Sequence, residues 1–206
     1  MLFRSPLERI VQGLITLVAW QSPLPGEAPH PPGIAVWFPP LAKLPFRGDP
    51  TRARALVDAL NRGGRKVAKF DGADIPEVGT VASGILTTHV TALEGVGWTF
   101  AALRKGPLGR TAAAAAREAM TVLAALMGKR PPFARHFVRP WLVATALRLA
   151  AWRMPYDFEV YLQYHFTKVR DQTELTMAEL ERIGRARGLA VEHIASLRRA
   201  VFGPAG

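Results

Sequence analysis

The sequence predicts a mainly helical protein: an all-helical domain over residues 73–206, preceded by a small α/β portion over 1–72. Three observations carry this. Apolar residues recur at steps of three and four almost without interruption from Ile75 onward, the period of helices that bury one stripe. Before that point the apolar runs are short, rich in β-branched and aromatic residues, and separated by proline and glycine. Hydrophobic residues make up 49% of the 206-residue chain, enough to bury a core.

Taken in order, residues 10–20 read as a strand ending at Ser22-Pro23, and 21–32 as a proline-rich loop. A second strand is expected at 33–38, stopped by Pro39-Pro40, and a third at 44–47 before Gly48-Asp49-Pro50. Leu56, Val57 and Leu60 line one face of a helix over 51–61, which Gly63-Gly64 ends. Residues 65–70 form the last strand of a β-β-α-β arrangement. Helices follow at 75–95, 98–104, 108–127, 132–152, 157–187 and 191–201, with Pro140 kinking or beginning the fourth. Ala112–Ala116, five consecutive alanines, suit close helix packing.

The helix over 157–187 is the most informative. Asp157 is placed as its N-cap, and Gly188 where a left-handed C-cap is expected, after Arg185 and Arg187. Phe158, Leu162, Phe166, Val169, Thr173, Met177, Leu180 and Ile183 form its buried stripe. Its middle carries a polar cluster of His165, Lys168, Arg170, Asp171 and Gln172. His165, Lys168 and Asp171 or Gln172 fall about one turn apart, on neighbouring positions of one face. As a site, Lys168 holds a carboxylate and His165 acts as acid or base near neutral pH. As structure, Lys168 or Arg170 neutralises Asp171 or Glu174. His89, on the first helix of the domain, is read the same two ways: as acid–base chemistry beside Thr87, or as a hydrogen-bonded core histidine.

Composition narrows the class. The chain has no cysteine, which excludes disulfides, thiolate metal sites and a cysteine nucleophile, and is in keeping with a cytoplasmic protein. The five histidines are scattered with no H-x-x-x-H or H-E-x-x-H pair, so no metal is expected. No G-x-S-x-G elbow occurs. The net charge is +11, but its arginines are dispersed with no basic run of five, which argues against nucleic acid. The N-terminus does not read as an export signal. The apolar run 10–20 is too short for a bilayer, which needs about 20 residues, and no membrane association is expected.

The polar cluster followed by Ile183-Gly184-Arg185-Ala186-Arg187-Gly188-Leu189 resembles the C-terminal helical domain of the ketopantoate reductase (2-dehydropantoate 2-reductase) family. Ala19-Trp20-Gln21-Ser22-Pro23-Leu24-Pro25-Gly26-Glu27 and Gly33-Ile34-Ala35-Val36-Trp37-Phe38-Pro39-Pro40 look like the middle of divergent members. The resemblance covers most of the chain. It implies a helical domain of the 6-phosphogluconate-dehydrogenase C-terminal type, behind the distal edge of a Rossmann domain. It further implies NADPH-dependent reduction of a small carboxylic keto acid, and a possible homodimer.

Two departures limit the transfer. No strand-linked G-x-G-x-x-G turn is present, so the chain reads as a member without its nucleotide-binding half, and no NADP binding is expected of it alone. The family's catalytic lysine and asparagine have no counterpart in Val81-Ala82-Ser83-Gly84-Ile85-Leu86-Thr87-Thr88-His89. By register from Gly184 and Gly188, the family's substrate-holding glutamate falls on Gln172, which can hydrogen-bond a hydroxyl but takes no proton. The residues expected at a site are therefore Lys168, His165 and His89 for chemistry, and Gln172, Asp171 and Thr87 for substrate. The competing readings are a non-catalytic helical interaction domain and a basic nucleic-acid-binding protein.

Overall fold

The computed structural model describes residues 9–40, 42–64, 66–70 and 75–203, without the side chains of 75–78, 80 and 81. The described part is mainly helical with a small sheet region. The chain divides into two compact units: Met1–Pro23 with Ala28–Gly79, and Leu24–Glu27 with Thr80–Gly206. The domain boundary expected at 72/73, Arg65 of the last expected strand and the first eight residues of the N-terminus lie outside the described residues.

In the first unit, β1 (Gln12–Gly13), β4 (Leu44–Arg47) and β5 (Ala68–Phe70) form one sheet in the order β1-β4-β5. β1 pairs antiparallel with β4 and β4 parallel with β5. β2 (Val18–Ser22) and β3 (Gly33–Trp37) form a separate antiparallel pair, with Val18 opposite Trp37 and Ser22 opposite Gly33. The single strand expected over 10–20 is thus two strands in two sheets. Gln12 and Gly13 pair with β4, residues 14–17 are not strand, and the more apolar Val18–Ser22 pairs with β3.

α1 (Pro50–Asn61) makes the crossover between parallel β4 and β5. Asp49 caps it by accepting the Arg52 N–H at 3.0 Å, and Pro50 opens it, where a missing N–H costs nothing. It buries Ala53 and Val57. The Asn61 side chain then brackets Ala68, donating to its carbonyl and accepting from its N–H, each at 3.0 Å. Gly48 has φ +139° and lies so near Ile10 that a Cβ would stand 2.7 Å from its carbonyl oxygen, so only glycine fits this turn.

The second unit holds α2 (Ile75–Gly95, which begins in the first), α3 (Phe100–Lys105), α4 (Pro107–Leu126), α5 (Pro140–Arg153), α6 (Phe158–Lys168), α7 (Arg170–Ala186) and α8 (Glu192–Phe202). α4 is central: it packs on α3, α5, α7 and α8. All five alanines of 112–116 are buried, because small side chains let neighbouring helices close in from several directions. Gly84 of α2 lies against Ala116 and Met120, where an added Cβ would meet Met120 Cγ at 3.0 Å. The main core joins Leu93, Ala115, Val122, Leu162, Met177, Ile194 and Leu197; a smaller cluster holds Ala113, Ala116, Met120 and Val138.

Three helix boundaries differ from expectation. α3 begins at Phe100 rather than 98 because Thr99 is its N-cap and Trp98, at φ +64°, belongs to the turn that ends α2. The helix expected over 132–152 is a 3₁₀ turn (Phe133–Phe137) followed by α5, which Pro140 starts at its first position. The helix expected over 157–187 is two helices. Asp157 caps α6 by accepting the Val160 N–H. Val169 then leaves helical geometry at φ −113°, ψ 25°, and α7 sets off with Arg170 held on Glu94 of α2 and over the Phe202 ring. Gly188, at φ +65°, ends α7, with Leu189 N–H bonded to the Gly184 carbonyl and Gly188 N–H to Arg185. Of the expected stripe, Leu162, Thr173, Met177 and Leu180 are fully buried and Phe158, Phe166, Val169 and Ile183 half-buried.

Candidate functional site

The six expected site residues separate by environment. His89 is buried on α2 and bonds its own helix: Nδ1 donates to the Ile85 carbonyl at 2.8 Å. A carbonyl only accepts, so the proton sits on Nδ1 and Nε2 presents a bare lone pair. That buried Nε2 finds no hydrogen-bond partner among the described residues. Burial pushes the pKa of His89 below its ordinary 6.5, the Ile85 carbonyl opposing, so the ring is neutral at pH 7. Thr87, two residues before His89 and so on a different side of α2, is half-buried, and its carbonyl accepts from Thr91.

His165, Lys168, Asp171 and Gln172 are exposed. Because the chain turns at Val169, the first two stand on the last turn of α6 and the other two on the first turn of α7. His165 stacks on Tyr161 (5.6 Å between centroids) and meets Phe166 edge-on at 4.9 Å. Partial burial and the Lys168 charge lower its pKa, so it too is neutral at pH 7, a proton acceptor rather than a donor. Lys168 Nζ lies 3.7 Å from the centroid of the Tyr164 ring. Arg170 belongs to structure: it pairs with Glu94 at 2.6 Å and more distantly with Glu174 at 3.9 Å.

Lys168 lines a groove of about 430 Å³ with Pro25, Val160, Gln163, Tyr164 and Thr167, all within the second unit. The residues at i, i+3, i+4, i+7 and i+8 of α6 form its wall, which is why one helix face supplies an ammonium, an amide, a phenol and a hydroxyl together. Pro25 reaches it from the turn Leu24–Glu27, which the Glu27 carboxylate closes by accepting the Leu24 N–H at 2.6 Å. One fixed cation among neutral hydrogen-bonding groups and apolar surface suits a small monocarboxylate. Sequence reasoning named Lys168 but not Gln163, Tyr164 or Thr167, although they share its helical face.

A second cleft, of about 410 Å³, was not foreseen. Arg117, Glu118, Thr121, Arg135, His136 and His193 line it. Glu118 reaches from α4 to the start of α8, where its carboxylate accepts from the N–H groups of His193 and Ile194 (both 3.0 Å) and from His193 Nδ1 (2.6 Å). Among the described residues no three metal-ligating side chains cluster, and no helix is long and apolar enough to cross a membrane.

No family model matches the chain, and neither a curated protein nor a solved structure matches it.

Among the described residues, the one parallel crossover opens its helix on a turn with few free N–H groups. The β4–α1 turn is the strand-to-helix turn of the one parallel crossover described, and Arg47-Gly48-Asp49-Pro50 forms it. A pyrophosphate needs free N–H groups at that helix start. Here the Asp49 carboxylate takes the Arg52 N–H, and Pro50 has none to give.

Proposed function

We propose that the chain binds a small keto or hydroxy carboxylic acid in the α6 groove, as the substrate-side helical portion of a ketopantoate-reductase-like protein. The observation that carries this reading is Lys168 in a partly apolar groove beside Tyr164, Gln163 and Thr167. The ammonium binds the carboxylate, Gln163 and Thr167 hydrogen-bond the keto or hydroxyl oxygen, and Val160 and Pro25 take the alkyl part. Gln172 and Asp171, at the start of α7, and His165, which packs on Tyr161 and Phe166, lie outside the lining of the groove and enter this reading only through the resemblance. The fold reading that accompanies it is a 6-phosphogluconate-dehydrogenase C-terminal-type helical domain behind a Rossmann edge. The parallel β4-α1-β5 crossover and the helices after it support that reading. In the parent chemistry bound NADPH would supply the hydride to the keto carbon and become NADP⁺. The residues described here offer it no phosphate turn, so binding by this chain alone is not expected.

The test is titration of the ¹⁵N-labelled chain with 2-oxoisovalerate, a branched keto acid. Amide shifts should concentrate on residues 160–168, and Lys168→Ala should weaken affinity about tenfold or more with the melting temperature unchanged. Binding that Lys168→Ala leaves intact rejects the assignment.

A second reading, a helical interaction or dimerisation domain, rests on a different surface. Trp141, Leu149 and Trp152 of α5 are 65%, 59% and 75% exposed, and Phe133 and Phe137 of the 3₁₀ turn are exposed as well. Because a homodimer fits either reading, sedimentation equilibrium is paired with the 2-oxoisovalerate titration: a dimer that Trp152→Glu disperses, in a chain that does not bind the keto acid, favours the interaction reading.

A further inference from the structure

We propose that the second cleft, between α4, the 3₁₀ turn and the start of α8, is a binding site for a phosphate monoester or free phosphate dianion. It is independent of the α6 groove. The argument is a balance of charge and donors. Arg117 and Arg135 both line the cleft, and neither has a carboxylate within ion-pair distance among the described residues. Arg117 donates one Nη1–H to the Val138 carbonyl at 2.8 Å. Arg135 donates Nη1 to Thr121 Oγ1 at 3.0 Å and points Nε at His136 Nε2, 3.4 Å away. Each guanidinium carries five donors, so most remain available after these bonds.

The nearest negative charge is already committed. The Glu118 carboxylate is shared among two backbone N–H groups and His193 Nδ1, and its side chain is 10% exposed. Its oxygens are therefore occupied and take no donor from either guanidinium, and the cleft lining sets two arginine charges against this one carboxylate. For the same reason the proposal does not rest on the helix terminus, whose first donors Glu118 occupies. The bonds to Val138 and Thr121 hold the two guanidiniums in place before a ligand arrives, and half-burial strengthens their interaction with an anion. Two planar forks facing one cavity match the three terminal oxygens of a phosphate dianion better than a single carboxylate. Ala114 on the wall and exposed Ala190 on the rim leave the room, and the cleft stays open enough to admit an ester group. Thr121 Oγ donates to the Arg117 carbonyl at 2.9 Å and accepts from Arg135, so it orients the fork rather than contacting the ligand.

The experiment uses the full chain at constant ionic strength. Inorganic phosphate, glycerol 3-phosphate and a single-stranded oligonucleotide are titrated by calorimetry, with chloride as the background anion. Saturable 1:1 binding of phosphate or the monoester is expected. Arg135→Gln should weaken it about tenfold or more, and Arg117→Lys by a smaller factor because charge survives but the fork does not. Ala190→Trp, an exposed substitution that alters no charge, should abolish it by filling the rim. Lys168→Ala should leave it unchanged, so failure at this cleft and failure of the α6 groove are told apart. Tighter binding of glycerol 3-phosphate than phosphate identifies a phosphorylated small molecule; the reverse identifies free phosphate. No heat beyond that of chloride, affinity indifferent to Arg135→Gln and Ala190→Trp, or clear preference for the oligonucleotide overturns the proposal.

Discussion

Gly184 offers the sharpest test of how the helical unit is packed. It is buried in α7 and stands where α7 touches both the start of α8 and α4. A Cβ added there would lie 2.9 Å from Val122 Cγ2 and closer still to Val191 Cγ1. Taken as an exposed helix position, Gly184→Ala would stabilise by about 0.5–1 kcal/mol, since alanine loses less backbone entropy. The two methyl overlaps act against this, and overpacking of a close-packed core costs about 1–3 kcal/mol. The net expectation is a loss on the order of 1–2 kcal/mol. Val191→Ala removes the nearer methyl. Alone it should destabilise by about 1.5 kcal/mol, from roughly 0.8 per buried carbon. Combined with Gly184→Ala it should cost less than the sum, by at least about 0.5 kcal/mol, because the overlap is gone. Urea unfolding of the four proteins, monitored by circular dichroism, gives the cycle. A stabilised Gly184→Ala protein, or strictly additive single variants, would refute this packing.

Two further outcomes follow from buried ionisable groups. Glu181 and Arg198 pair at 3.0 Å with both side chains 10% exposed, and Arg185 bonds the other Glu181 oxygen at 2.6 Å. Glu181→Ala should cost about 3 kcal/mol or more, since it strands a buried guanidinium, whereas Glu181→Leu with Arg198→Met should cost less than that single change; denaturant midpoints decide. His89 has its folded-state pKa lowered by burial, so as pH falls below about 6.5 the unfolded chain takes up the proton first. Stability is then full above that pH and falls with acid, by up to about 1.4 kcal/mol per pH unit for this one proton. The stability advantage of wild type over His89→Leu should therefore shrink between pH 7.5 and pH 5.5, the other histidines being common to both. A pH-independent difference would show that His89 is not held neutral.

Local chemistry is what the sequence by itself determined. Asp157 as a cap, Pro140 kinking or beginning a helix, and Gly188 in the left-handed region each act within four residues. Hydrogen bonds that short have no competing partner, so element type and most boundaries were legible, as was the buried run Ala112–Ala116. Lys168 was legible as a candidate because a cation on a helix face shows in the spacing. What the tertiary structure alone decided involves partners far apart in the chain. Residues 10–20 split between two sheets because strand propensity is silent about which strand pairs with which. The turn at Val169 carries no glycine or proline to announce it. It accompanies an ion pair from Arg170 to Glu94, 76 residues away. The arginine cleft depends on Glu118 meeting His193, 75 residues distant, and on Arg135 folding back to Thr121. No periodicity within one helix encodes such meetings. They arise only when small residues at Gly84, Ala112–Ala116 and Gly184 let the helices approach closely enough to bring side chains from different turns into one cleft.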